Sequence, residues 1–74
     1  MRKTIDSIIT EYESASSKYP KFHSTHEGYA VIKEEVDELW DMVKASKEIN
    51  GHLEMEKECI QIAAMAIRFI EDLC

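Results

Sequence analysis

From Leu53 to Leu73, apolar side chains occupy most of the circumference of a helix. Glu54, Lys57, Gln61, Arg68 and Asp72 gather on one narrow polar strip. An ordinary surface helix shows an apolar stripe little more than about 100° wide, enough to bury against one neighbour. A face this broad cannot be covered by a single helix. The segment is therefore expected at the centre of a helical bundle, packed against helices of its own chain and of a second copy. The length points the same way. A chain of 74 residues makes one domain, residues 1–74, and a core that small rarely supplies more than about 3–5 kcal/mol without a staple, a metal or a partner.

Two further helices complete an all-α reading. Ile5, Ile8, Ile9, Tyr12 and Ala15 recur at i, i+3, i+4 and i+7, which predicts a helix from Thr4 to about Ser17, with Thr4 as N-cap and Asp6 in the first turn. Ser16 to Ser24 reads as a loop, because Pro20 disfavours helix at Tyr19 and lacks a backbone donor. Ser24-Thr25-His26-Glu27 has the pattern of a capping box, so a second helix follows to around Ala45. Gly28, inside it, is either a weakness or a point of close approach. Asn50-Gly51 predicts a turn before a third helix from about His52. No stretch alternates as a strand would.

Composition excludes several classes. The net charge of −6 argues against a nucleic-acid partner. The longest apolar run, around Ile62 to Ile67, is far too short for a membrane span. Cys59 and Cys74 form no disulfide framework, which suggests a reducing compartment and a cytoplasmic location. Cys59 is expected as a small buried hydrophobe.

Against this background, three carboxylates stand out. On a wheel of about 100° per residue, Glu35 falls inside the apolar arc of the second helix and Glu38 at its edge. Glu58 falls inside the apolar arc of the third helix, beside Met55, Ile62, Met65 and Phe69, with Gln61 at the edge. A lone charge on a packing face costs several kcal/mol or is protonated, roughly speaking. Carboxylates aimed at one another call for a cation between them, and a hard divalent ion takes oxygen ligands of this kind. The plainer reading is a solvated, Glu-rich face, which the placement inside apolar arcs disfavours.

Other candidates carry less. Lys57 and Arg68 are candidates for phosphate contact, as is Lys33 more weakly; ion pairing, such as Arg68 with Asp72, is the alternative. His23, His26 and Glu27 are too loosely spaced for zinc. Tyr29 and Trp40 either stack on a base or, as the spacing favours, belong to the core. Met42, Met55 and Met65 are expected to pack the acidic site.

The run Glu34-Glu35-Val36-Asp37-Glu38-Leu39 resembles the EExxE element of MazG-type nucleotide pyrophosphohydrolases, an all-α superfamily that includes dimeric dUTPases. Glu58-Cys59-Ile60-Gln61 stands where that family has ExxD, after a spacer of suitable length. The resemblance runs from His26 onward. It implies a Mg²⁺-dependent enzyme, also served by Mn²⁺, that hydrolyses a nucleoside triphosphate to the monophosphate and pyrophosphate. Carried over by position, Glu35, Glu38, Glu58 and Gln61 match metal ligands. Glu38 is the candidate to orient or deprotonate the attacking water, and Arg68 and Lys57 the candidates to meet phosphates. The resemblance also implies a homodimer or homotetramer in which the two long helices form a four-helix bundle with a second subunit.

Gln61 departs from the family's Asp, since its carbonyl can ligate Mg²⁺ but brings no charge. That departure keeps open a second class of function, a MazG-like helical module that binds nucleotide or regulates without hydrolysing it. A purely structural helical dimer is a third reading, which leaves Glu35 and Glu58 without partners.

Overall fold

A computed structural model of the chain describes residues 1–45 and 49–74. It contains three helices, α1 (Arg2–Lys18), α2 (Thr25–Ala45) and α3 (Ile49–Leu73). No helix among the described residues is long and apolar enough to cross a membrane.

The local signals act unevenly. α1 begins at Arg2 with Met1 in the cap position and no side-chain cap. Thr4 therefore lies inside the helix rather than at its start, and no acidic residue occupies the first turn. The helix stops where Pro20 requires it to. Tyr19 is extended, at φ −123° and ψ 147°, and its N–H still reaches the Ala15 carbonyl. The cap of α2 forms as the sequence predicts: Ser24 Oγ accepts the Glu27 N–H at 3.1 Å. Glu27 reaches back one residue further than a standard capping box, accepting the His23 N–H at 2.6 Å. Asn50-Gly51 does not form the expected turn; both residues lie in the first turn of α3, which starts at Ile49. The 46–48 portion of the connection lies outside the described residues.

α2 runs antiparallel to α3, and the two pack most closely at Gly28. A Cβ built there would stand 2.6 Å from Phe69 Cδ2 and 3.0 Å from Leu73 Cδ1. The glycine is thus a point of close approach, where a helix side chain has no room. α1 packs on another side of α3. No Cα of α1 comes within 8 Å of one in α2, among the described residues. The two helices therefore straddle α3 with a gap between them.

The core is small. Ala15, Phe22, Ala64 and Met65 are buried, with Tyr12, Val31, Ile32, Phe69 and Leu73 packed against them. The inward side of α3 includes part of its polar strip, because Arg68 is 4% exposed. Two expectations are corrected. Tyr29 and Trp40 are not core residues but stand 62% and 56% exposed. Cys59 is exposed rather than buried. Each sits on an apolar face left uncovered among the described residues.

Candidate metal centre

The antiparallel pairing of α2 with α3 carries Glu35 and Glu38 to the level of Glu58. One oxygen from each of the three side chains lies within 4.8 Å of the others, the one such group of acidic, histidine or cysteine residues among those described. Helical spacing explains the local part, since residues three apart on α2 share a face. Glu35 and Glu58 are half-buried, and Glu38 is exposed.

Three like charges at this separation cannot all be ionised without cost. The carboxyl of Glu35 is raised above its ordinary value, first by burial, against a lowering hydrogen bond with Glu58. Glu58 is raised by burial, then by its hydrogen bond to Glu35. Glu38 is raised first by its hydrogen bond with Glu58 and then by that residue's charge. All three shifts run the same way, toward the protonated form. Oε2 of Glu58 is buried with no hydrogen-bond partner. A buried carboxylate oxygen requires a donor or a cation. That orphaned oxygen, facing two more carboxylates, fits an oxygen-ligated divalent ion.

Beside the triad, the gap between α1 and α2 forms a cleft of about 650 Å³, floored by Gln61, Met65 and Arg68 of α3. Glu35 lies in one wall, so the cleft opens onto the triad. Gln61 lines the same cleft as Glu35. At the other end the cleft is lined by Lys18, Tyr19, Pro20 and Lys21.

Arg68 is also in the floor, but its guanidinium is engaged by the protein. Nη2 donates to the Pro20 carbonyl at 2.8 Å, lies 3.9 Å from Asp72 Oδ2, and the group stacks on the Phe22 ring at 4.5 Å. Arg68 and Asp72 thus leave the solvent-facing strip on which the sequence places them and clamp the α1–α2 loop. Lys57 is not brought to the cleft; it pairs with Glu54 at 3.6 Å and lines a separate hollow between α1 and α3. Lys33 pairs with Asp37 at 2.7 Å on the solvent side. His23 lies 3.6 Å from Glu27, and neither it nor His26 belongs to a metal-competent group. Met65 packs the floor as expected, and Met42 and Met55 are half-buried.

Sequence reasoning missed Glu11, Lys18 and Lys21. Glu11 of α1 lines the cleft with Glu35 and Gln61 and helps raise the Glu35 carboxyl. Its position at the edge of a narrow apolar stripe carried no signal of this. Lys18 and Lys21 bracket Pro20, and only the fold of the loop turns both toward the cleft.

The chain matches no protein-family model, no curated protein and no solved structure.

Proposed function

We propose that this chain is a Mg²⁺-dependent nucleoside triphosphate pyrophosphohydrolase of the MazG type, acting as a homo-oligomer in which α2 and α3 bundle with the same helices of a second copy. The observation that carries the reading is the convergence of Glu35, Glu38 and Glu58 to within 4.8 Å from two helices, at the positions the resemblance singles out. The cleft beside them lies within the range typical of small-ligand sites, about 300–1,000 Å³.

Glu35 and Glu58, half-buried and held by the α2–α3 seam, would grip the ion with Glu38, and Gln61, which lines the same cleft as Glu35, would support that set. Bound Mg²⁺ supplies charge neutralisation and polarisation of a phosphoryl group. Glu38, the most exposed of the three, takes the proton of the attacking water or orients it. Lys18 and Lys21 offer cations to the polyphosphate at the rim of the cleft. Arg68 holds the loop that carries Lys21 in place. The α1–α2 gap keeps the cleft open to a nucleotide.

The second reading, a nucleotide-binding module without turnover, is favoured by one observation: a neutral Gln61 lines the cleft with Glu35 where the resemblance expects a further carboxylate. Pyrophosphate release decides between them. The assay uses a panel of ribo- and deoxynucleoside triphosphates with Mg²⁺ or Mn²⁺, beside a Glu35→Gln variant. Release that disappears in the variant supports the enzyme. Nucleotide binding without release from any triphosphate supports the module.

A further inference from the structure

Glu11 and Gln61 line two hollows at once. On one side of them is the cleft, and on the other a second hollow of about 500 Å³, which runs between α1 and α3 past Thr10, Ser7 and Lys57 to Lys3. Residue numbers rise together on α1 and α3 from the second hollow to the cleft, so α1 runs parallel to α3 and both hollows follow one groove. Glu58 precedes Gln61 by three residues, about 4.5 Å along the helix axis. Glu35 lines the cleft together with Gln61. The acidic triad therefore stands at the level where the two hollows meet.

The two sides differ in chemistry. The far end of the cleft carries Lys18 and Lys21; Glu27 also lines the cleft, but its Oε1 accepts the His23 N–H at 2.6 Å. In the second hollow the charges cancel, Lys3 and Lys57 against Asp6 and Glu11, and Lys57 is drawn to within 3.6 Å of Glu54. What remains there is neutral polar surface: the hydroxyls of Ser7 and Thr10 and the amide of Gln61, beside Ile60. One side suits an anion, and the other an uncharged group with donors and acceptors of its own.

We propose that the second hollow is a nucleoside subsite, in which Ser7, Thr10 and Gln61 meet the sugar and the base edge while the β- and γ-phosphates run the other way, toward Lys18 and Lys21. This orientation rests on the proposed reading of the triad as the place where the phosphate chain is gripped. The opposite orientation sets phosphates beside Asp6 and Glu11 and a neutral base against two lysines, which like-charge repulsion opposes. The hollow is large enough, within the range of about 300–1,000 Å³ of small-ligand sites. A neutral residue at the divide is in keeping, since the Gln61 amide both donates and accepts. Lys57 then stands on the nucleoside side, not among the phosphates.

Titration calorimetry in Mg²⁺ tests it with two kinds of probe. One is a set of α,β-methylene nucleoside triphosphates, which cannot be cleaved at that link; the other is inorganic triphosphate, the same phosphate chain without a nucleoside. Thr10→Trp fills the hollow from an exposed position of α1, and Ser7→Trp repeats the test one turn away. A Lys18→Glu, Lys21→Glu double variant reverses the charge at the far end of the cleft. All proteins are first checked for equal helicity. Each tryptophan variant is expected to weaken the nucleotide analogues about tenfold or more and to leave inorganic triphosphate within about twofold of wild type. The double lysine variant should weaken both probes. If the tryptophan variants bind nucleotide as wild type does, or lose both probes equally, the subsite is overturned while the phosphate site stands. A wild type that binds inorganic triphosphate and no nucleotide analogue has the same meaning. A wild type that binds neither probe overturns the subsite and the proposed function together.

Discussion

Arg68 Nη2 donates to the carbonyl of Pro20 at 2.8 Å, across 48 residues of chain. Four residues on, Asp72 Oδ2 accepts the Phe22 N–H at 3.0 Å. Together they fasten the α1–α2 loop to the third helix, and so define the closed end of the cleft. The Phe22 ring, buried against the guanidinium, covers the pair.

Replacing Arg68 with alanine removes the Pro20 bond and leaves Asp72 without its cation in a mostly buried site. Loss of about 2–4 kcal/mol of unfolding free energy is expected, measured by urea denaturation. Lysine is not a full substitute, because one ammonium cannot both stack on Phe22 and reach Pro20. If Arg68→Lys were as stable as wild type, the clamp would be a simple charge effect.

Gly28→Ala tests the α2–α3 contact. Alanine gains roughly 1 kcal/mol of helix propensity over glycine, but its Cβ meets the Phe69 ring at 2.6 Å. Overpacking of this kind costs about 1–3 kcal/mol, so the variant is expected to melt lower. Adding Phe69→Leu should recover part of the loss. Strict additivity in that double-mutant cycle would argue against the contact.

Ser24→Ala removes the acceptor for the Glu27 N–H. About 1 kcal/mol should be lost. Because Glu27 also lines the cleft, chemical-shift changes are expected to reach Val31 as well as the helix start.

The triad makes stability depend on pH and on metal in opposite ways. All three carboxyls are raised in the folded state, Glu35 and Glu58 mainly by burial and Glu38 mainly by Glu58. A group raised on folding contributes stability in full below its unfolded value, and the contribution is lost as pH rises through the folded value. Metal-free protein should therefore gain Tm as pH falls from neutral toward the carboxylate range. Glu58→Gln should flatten that dependence and raise the metal-free Tm at neutral pH.

On the proposed reading, Mg²⁺ would replace the missing proton at neutral pH. A ligand at a hundred times its Kd adds about 2.7 kcal/mol to the folded state. Differential scanning calorimetry should show Tm rising with Mg²⁺ in the wild type and not in Glu58→Gln. An equal rise in both would place the ion elsewhere.

Glu35, Glu38 and Glu58 could be singled out in the chain because helical periodicity is a local rule. Once α2 and α3 are helices, the angular position of each residue follows, and a charge within an apolar arc is visible as an anomaly. The Pro20 stop and the Ser24 cap were legible for the same reason: each acts within a few residues. The start of α1 and the Asn50-Gly51 pair differ from their local signals, since a cap or turn preference worth about 1 kcal/mol does not by itself fix where a helix begins.

Other features needed the tertiary structure. Arg68 reads as a surface cation, and only the return of Pro20 and Phe22 onto α3 makes it a buried clamp. Lys18 and Lys21 acquire a shared cleft only because the α1 and α2 backbones stay apart on α3. Tyr29 and Trp40 have core spacing, yet the neighbouring arc with Gly28 and Ile32 is the one that packs inward, which leaves them outside. The sequence by itself determined which faces are apolar and which carboxylates share them, because those are properties of one helix. Which apolar face found a partner in the chain, and which charge was enclosed, was decided by how α1, α2 and the loop between them share the surface of α3.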